Sequence, residues 1–186
     1  MKNFKAKHRN KQRGMTLVEL MIVLLIGAIV LIGVVMYFGS VSASNRSSKI
    51  VAEFSTAIPA IQSAYQSRTS FATVNTAQVA QNRWMSNEFL EMTGSTPTGN
   101  IMTQWGPVTF APAASNNQVQ VTMNNIPSRE CIKISEMFNG DSYITASING
   151  TSVKDKATST MVDLDATGAQ CNSSESNTMV FNFGRG

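Results

Sequence analysis

An uninterrupted apolar run near the start of the chain restricts what it can fold into. Residues 20–38 read LMIVLLIGAIVLIGVVMYF, nineteen apolar or aromatic residues in a row. A helix over residues 15–38 would be about 36 Å long, enough to cross the apolar core of a bilayer. A helix that is apolar on every side must be surrounded by lipid or by other protein. We therefore expect a membrane-spanning helix over residues 15–39.

A basic segment, residues 1–14, precedes the apolar run. It holds six of the fifteen lysines and arginines and no acidic residue. The rest of the chain has nine basic against eleven acidic residues, so its net charge is slightly negative although the whole chain carries +4. We therefore predict no nucleic-acid binding. Because basic flanks stay in the cytoplasm, residues 40–186 are expected outside it.

Glu19 places a carboxylate at the edge of the apolar run. A charged side chain is costly in lipid, most of all near the bilayer centre. Cleavage between Gly14 and Met15 would create an α-ammonium group at the membrane surface, and the carboxylate of a neighbouring copy could neutralise it. This pairing would set the register between otherwise interchangeable apolar helices. We therefore interpret Glu19 as an assembly residue.

The run RGMTLVELMIVLLIGAIVLIGVV resembles the N-terminal signature of type IV prepilins. That family has a glycine before the cleavage site, then an apolar residue, with threonine second and glutamate fifth. The matching positions are Gly14, Met15, Thr16 and Glu19. A first mature methionine and a leader of fourteen residues resemble the type IVb subgroup of bundle-forming, toxin-coregulated and conjugative thin pili. The segments IPSRECIKI and VDLDATGAQCNSSESNTMVFNF resemble the C-terminal half of type IVb major pilins.

The resemblance implies a processing and assembly route. A prepilin peptidase would cut after Gly14 and N-methylate Met15. An ATPase and a platform protein would then draw the subunit from the inner membrane into a helical homopolymer on the bacterial surface, serving adhesion, aggregation or conjugative contact. The chain would comprise a cleaved leader (1–14), a helix of the filament core (15–39) and a head (40–186). The segment between Cys131 and Cys171 would carry much of the subunit contact and surface variation.

The head has the pattern of an α+β domain. After the apolar run, buried-type residues recur every three or four positions, which predicts an amphipathic helix to about residue 67 with a kink at Pro59. Residues 69–106 hold turn formers and are interpreted as a long loop with a short helix near 86–92. Further strands are expected at 108–111, 118–123, 143–148 and 178–183, and further helices at 128–138 and 163–170. The predicted fold is a long helix packed on one face of an antiparallel sheet.

The two cysteines, Cys131 and Cys171, lie in the exported part, where a disulfide can persist. Their bridge would close a loop of 41 residues and stabilise the head by about 4 kcal/mol on the chain-entropy estimate. The alternative is a pair of buried free thiols.

The residues offer little to a catalytic or metal-binding interpretation. The only histidine, His8, lies in the leader, so neither a Ser-His pair nor a multi-His metal site can form in the mature domain. Asp163 and Asp165 fit helix capping better than acid-base chemistry. The charged run at 154–156 is interpreted as a solvated turn. We expect neither an enzyme nor a bound cofactor.

The two tryptophans, Trp84 and Trp105, could contact a host receptor or a sugar, but residues of this kind more often pin a loop onto the core. We therefore expect both indole rings to pack.

Other functions remain to be weighed against a pilus subunit. A secretory signal peptide cut after Ala43 would leave Glu19 unexplained and would need a shorter apolar region. A pseudopilin of type II secretion shares the leader chemistry, but the paired cysteines favour a pilus. A minor pilin often lacks glutamate at the fifth mature position. A membrane-anchored periplasmic binding domain would need an apolar pocket, which a sequence alone does not reveal.

Overall fold

The structure is a computed structural model that describes residues 16–185. The chain divides into two compact units, which meet between Val41 and Ser42. The leader and the predicted cleavage position at Gly14 and Met15 lie outside the described residues, so they stay predictions.

Helix α1 (Leu17–Ala64) is the longest element and spans 48 residues. From Leu17 to Val41 every side chain is exposed. Among the described helices, only α1 is long and apolar enough to cross a membrane. In the second unit the same helix has a buried stripe at the predicted spacing: Ser47, Ile50, Phe54, Ala57, Ile58 and Ile61. The helix continues through Pro59; the kink there stays a prediction.

Seven antiparallel strands form a single sheet in the order β1-β2-β3-β4-β7-β5-β6. Their bounds are β1 (Leu90–Thr93), β2 (Thr96–Thr103), β3 (Gly106–Ala113), β4 (Gln118–Ile126), β5 (Tyr143–Ile148), β6 (Thr151–Asp155) and β7 (Asn177–Gly184). Strands β4 and β7 show the alternation of buried and partly exposed residues that a sheet with one covered face requires. The predicted α+β fold of a long helix on an antiparallel sheet is confirmed.

Within residues 16–185 the head also contains three shorter helices: α2 (Thr76–Gln81), α3 (Ser128–Ser135) and α4 (Leu164–Cys171). A 3₁₀ turn, Glu136–Phe138, extends α3. Asn75 caps α2 by accepting a hydrogen bond from the Gln78 N–H.

The core of the head lies between the second half of α1 and the sheet. Phe54 is fully buried, and its ring lies 5.2 Å from that of Phe181 on β7 and 6.4 Å from that of Phe110 on β3. The Phe54 and Phe181 rings pack edge to face, which suits the quadrupoles of the two rings. Phe138 extends the cluster from the 3₁₀ turn, 5.3 Å from Phe181.

The loop predicted over residues 69–106 is wrong. This segment contains α2, β1 and β2, and the short helix expected near 86–92 is a turn followed by strand β1. Pro97 and Gly99 are among the turn formers on which the loop prediction rested. However, the half of β2 that holds them pairs with β1 alone, so the missing proline N–H is tolerated. Gly99 has φ +106°, and a Cβ there would lie 3.2 Å from that of Ala77 on α2.

The solvated turn predicted at 154–156 is also wrong. Lys154 and Asp155 belong to strand β6, which the sequence analysis missed, and Lys154 is only 2% exposed. The lysine can be buried because main-chain oxygens from two loops converge on its ammonium group.

Candidate functional site

The start of α1 brings Thr16 and Glu19 together. The Thr16 hydroxyl accepts a hydrogen bond from the Glu19 N–H at 3.3 Å, and its carbonyl accepts one from the Leu20 N–H at 3.1 Å. Thr16 is therefore the N-cap and Glu19 the third helical residue, the spacing of a capping box. The glutamate also complements the helix dipole. The sequence interpretation gives Glu19 an assembly role only; the T-x-x-E pattern of Thr16 and Glu19 is the local signal of this cap.

The apolar half of α1 offers a large uncovered surface. Leu17, Leu31 and Phe38 are 71%, 66% and 66% exposed, as are their neighbours to a similar extent. Soluble monomers rarely expose a continuous apolar surface of this extent, and such surfaces mark sites of membrane or protein contact. The surface of residues 17–41 is therefore suited to contact with lipid, with other helices, or with one after the other.

The two cysteines form the disulfide expected for an exported domain. Cys131 on α3 and Cys171 on α4 are both fully buried, and their Cα atoms lie 5.6 Å apart. The bridge joins the two helices and bounds the segment 131–171. That segment contains β5, β6 and the loops between them.

A buried asparagine holds the chain around Cys171. The carboxamide nitrogen of Asn177, a residue with no exposed surface, lies 3.1 Å from the carbonyl oxygens of Cys171 and Ile126. Its oxygen accepts a hydrogen bond of 2.7 Å from Asn149 in the β5–β6 turn. Asn149 and Ile126 lie 28 and 51 residues from Asn177 in the chain, so no local pattern could have indicated these contacts.

Lys154 organises two loops within the disulfide-bounded segment. Its ammonium group donates to the carbonyl oxygens of Gly140 at 2.7 Å, Thr160 at 2.9 Å and Phe138. Burial lowers the pKa of Lys154, and the negative charge of Asp141 partly opposes that effect. We call the Phe138, Gly140 and Thr160 carbonyls together with the Lys154 ammonium the Lys154 cage.

Arg185 closes the far end of α1. Its guanidinium donates to the carbonyl oxygens of Tyr65 at 3.0 Å, Thr69 at 2.7 Å and Arg68. The last turn of α1 has no basic residue of its own, so Arg185 supplies the positive charge that a helix C-terminus favours.

The remaining predicted residues have structural roles. Asp163 caps α4, accepting a hydrogen bond from the Ala166 N–H at 3.0 Å. Trp84 and Trp105 are partly buried against the core, as predicted.

Two known protein families match parts of the chain. The Prokaryotic N-terminal methylation motif matches residues 9–35, a range that includes Gly14, Met15 and Glu19. The family described as PilS N terminal matches residues 44–183, three quarters of the chain.

Curated relatives and a solved structure agree with these matches. The major structural subunit of bundle-forming pilus from Escherichia coli O127:H6 (strain E2348/69 / EPEC) is 22% identical over 191 residues, covering 96% of this chain and 97% of the relative. The protein of the same description from Escherichia coli O111:H- matches equally. The crystal structure of a type IV b pilin from Salmonella typhi has a TM-score of 0.51 and 19% identity, covering 73% of this chain and 97% of that one, so the fold is shared.

Proposed function

Because this chain belongs to the PilS N-terminal family, we propose that it is the major structural subunit of a type IVb pilus, polymerised through its N-terminal helix. The observation that carries the proposal is the exposed apolar half of α1 with Glu19 at its start. A surface of this kind suits a subunit that moves from lipid into contact with other copies. The match to relatives described as major structural subunits supports an abundant rather than a minor role.

The proposal includes processing of the N-terminus. A prepilin peptidase cuts after Gly14 and N-methylates Met15, which the methylation-motif match over residues 9–35 supports. The new α-ammonium group then pairs with Glu19 of a neighbouring copy. Thr16 caps α1 and orients its first turn, so that Glu19 starts from a defined backbone position.

The proposal also includes the route to the cell surface. The precursor is anchored in the inner membrane by the apolar half of α1, where an assembly platform and its ATPase extract it into the filament. The head then faces the medium, where the filament serves adhesion, aggregation or conjugative contact.

N-terminal mass spectrometry of sheared surface filaments tests this proposal. The expected result is N-methyl-Met15 as the first residue of the dominant filament protein. An intact leader, a start at Ser44, or absence of the chain from the filaments would each contradict it. A variant with Gly14→Ala serves as the processing control, since it changes one position of the motif and leaves the described residues untouched.

A further inference from the structure

The chain contains two Asn-Gly dipeptides, Asn139-Gly140 and Asn149-Gly150. Asn-Gly is chemically vulnerable because glycine offers no side chain to hinder attack by its main-chain nitrogen on the asparagine carboxamide. In that reaction the glycine nitrogen gives up its proton to solvent base and bonds to Cγ. The Cγ–Nδ2 bond then breaks, and the leaving nitrogen takes a proton from water and departs as ammonia. Water then opens the resulting succinimide to aspartate or isoaspartate. Both asparagines are exposed, so exposure does not distinguish them.

Hydrogen bonding holds Asn149 away from this reaction. Its Nδ2 donates to Asn177 Oδ1, Gln170 O and Ser173 Oγ, at 2.7, 3.1 and 3.3 Å. Its Oδ1 accepts the Thr178 N–H at 2.9 Å, and its own N–H donates to Thr178 O at 2.8 Å. The carboxamide can turn toward Gly150 only when this part of the fold opens.

Asn139 is held far less. Its Oδ1 accepts one hydrogen bond, from the Val162 N–H at 2.9 Å. Across residues 16–185, no hydrogen bond from its Nδ2 is found. The single donor at Oδ1 withdraws electrons from the carboxamide carbon, which favours attack there. Asn139 ends the 3₁₀ turn, where the chain leaves regular structure.

We propose that Asn139-Gly140 is a site of spontaneous deamidation in the folded subunit, and that its isoaspartyl product dismantles the Lys154 cage. Residues 138 and 140, on either side of the asparagine, supply two of the three carbonyl oxygens that accept from the Lys154 ammonium. Isoaspartate routes the main chain through the former side chain, which inserts one more carbon between those two carbonyls. The oxygen that accepts from the Val162 N–H becomes the main-chain carbonyl oxygen of the new linkage, so it is displaced from its position in the native turn.

The loss of the cage changes the disulfide-bounded surface. The loop at 156–163 is tied to the 138–141 loop through Lys154, through the Asn139–Val162 hydrogen bond, and through the Lys156 ammonium, which donates to Asp141 O at 2.9 Å. Without the first two contacts the Lys154 ammonium loses buried partners, which is unfavourable, and the loop that carries the exposed Met161 is held more weakly. Old subunits then differ from new ones on this face.

Site-resolved peptide mass spectrometry of the full-length subunit in detergent micelles tests the first half of the proposal. The subunit is aged in mildly alkaline buffer, and each native rate is divided by the rate at the same site in reduced, denatured chain. We expect the normalised rate at Asn139 to exceed that at Asn149 by about tenfold or more, since opening free energies differ widely within one fold. Equal normalised rates, faster conversion at Asn149, or an inert Asn139 in the native chain would overturn the proposal.

Two matched variants test the second half. Gly140→Ala hinders the attack, and its Cβ would meet Tyr143 Cδ2 at 3.9 Å and Met137 O at 4.0 Å, which are ordinary contacts. Asn139→Asp introduces the charge without the extra main-chain carbon. Hydrogen exchange over residues 156–163 should rise in aged wild type, but not in aged Gly140→Ala or in fresh Asn139→Asp. An equal rise in either variant would refute the coupling between isoaspartate and the Lys154 cage.

Discussion

The two halves of α1 share one helical backbone but bury entirely different amounts of apolar surface. From Leu17 to Val41 every side chain is exposed, whereas from Ser42 to Ala64 six positions are buried in the core of the head. The first half is apolar all round and the second has a single apolar stripe. Helical propensity therefore does not explain the contrast; the distribution of apolar residues around the axis does.

The contrast separates stability from assembly. Residues of the second half stabilise the head within one subunit, so replacing them should alter unfolding. Residues of the first half are exposed within the described part of the chain, so replacing them should alter what the subunit joins. A substitution in the first half should therefore change assembly and not the unfolding free energy of the head, and a substitution in the core of the head should change that free energy.

The largest effect on assembly is expected at Glu19. Glu19→Ala and Glu19→Gln should each reduce surface filaments at least about tenfold, since a charge-assisted contact contributes roughly 1.5–3 kcal/mol and each 1.4 kcal/mol is a factor of ten. Processing and the unfolding temperature of the head should not change. Filament yield by shearing and immunoblotting measures the effect, and mass spectrometry of the precursor measures the processing.

Glutamine at position 19 is the informative variant because it still suits the third helical position of a capping box, as glutamate does, while it removes the charge. If Glu19→Gln formed filaments at the wild-type level while Glu19→Ala did not, helix capping rather than charge pairing would explain the residue. Thr16→Ala serves as the control for capping, with an expected loss of about 1 kcal/mol of helix stability.

The second prediction compares Phe54→Ala with Leu24→Ala. Phe54 has no exposed surface, so its truncation should lower the unfolding free energy of the head by about 3–5 kcal/mol. Leu24 is 65% exposed, so its truncation should change that free energy by less than about 0.5 kcal/mol. Denaturant unfolding of the detergent-solubilised subunit, followed by tryptophan fluorescence, gives both values. Similar losses of unfolding free energy in the two variants would show that the exposed half of α1 also stabilises the head.

The third prediction concerns the bridge between α3 and α4. A Cys131→Ser and Cys171→Ser double variant should lower the unfolding free energy by about 2–5 kcal/mol, because the unfolded chain is no longer restrained. The Asn177 hydrogen bonds to Cys171 and Ile126 remain, so we expect the fold to survive. Wild type under reducing conditions is the control and should reach the same stability; a stability unchanged from oxidised wild type would contradict the prediction.

Local patterns predicted much of this fold. The spacing of Ile50, Phe54 and Ile61 indicated the buried stripe of α1, and the alternation in β4 indicated a strand. Strand β5 has the predicted bounds, 143–148. Patterns of this kind reflect how one element meets the core, and they are written within a few consecutive residues.

The parts that were missed depend on pairs of residues distant in the chain. Lys154 looked solvated because the three carbonyls around it come from two other loops. Pro97 argued against a strand at β2. A proline is tolerated there because its half of the strand pairs with β1 alone, and the sequence does not show that pairing. Arg185 reaches Tyr65 across 120 residues. In the candidate site, Glu19 could be identified because a carboxylate beside an apolar run is visible within a few consecutive residues.

The effect expected from Tyr143 is confined to high pH. Burial raises the pKa of Tyr143 from 10.0 to about 12, because the phenolate is poorly solvated inside the head. A folded pKa above the unfolded one gives a contribution that is complete below pH 10 and is lost as the pH rises to about 12. That contribution is about 3 kcal/mol, because each pKa unit corresponds to about 1.36 kcal/mol.

Tyr143→Phe should remove this alkaline loss while keeping the ring contacts with Phe138 and Phe181, both 5.5 Å between centroids. The control is Tyr37→Phe, since Tyr37 lies in the exposed half of α1 and is 69% exposed. Unfolding free energies measured between pH 9 and 12 (roughly the window in which the tyrosine titrates) should therefore diverge from wild type in Tyr143→Phe only. If Tyr37→Phe removed the alkaline loss of unfolding free energy equally, the exposed half of α1 would also contribute to the stability of the head. That result would contradict the division between a half of α1 that stabilises the head and a half that serves assembly.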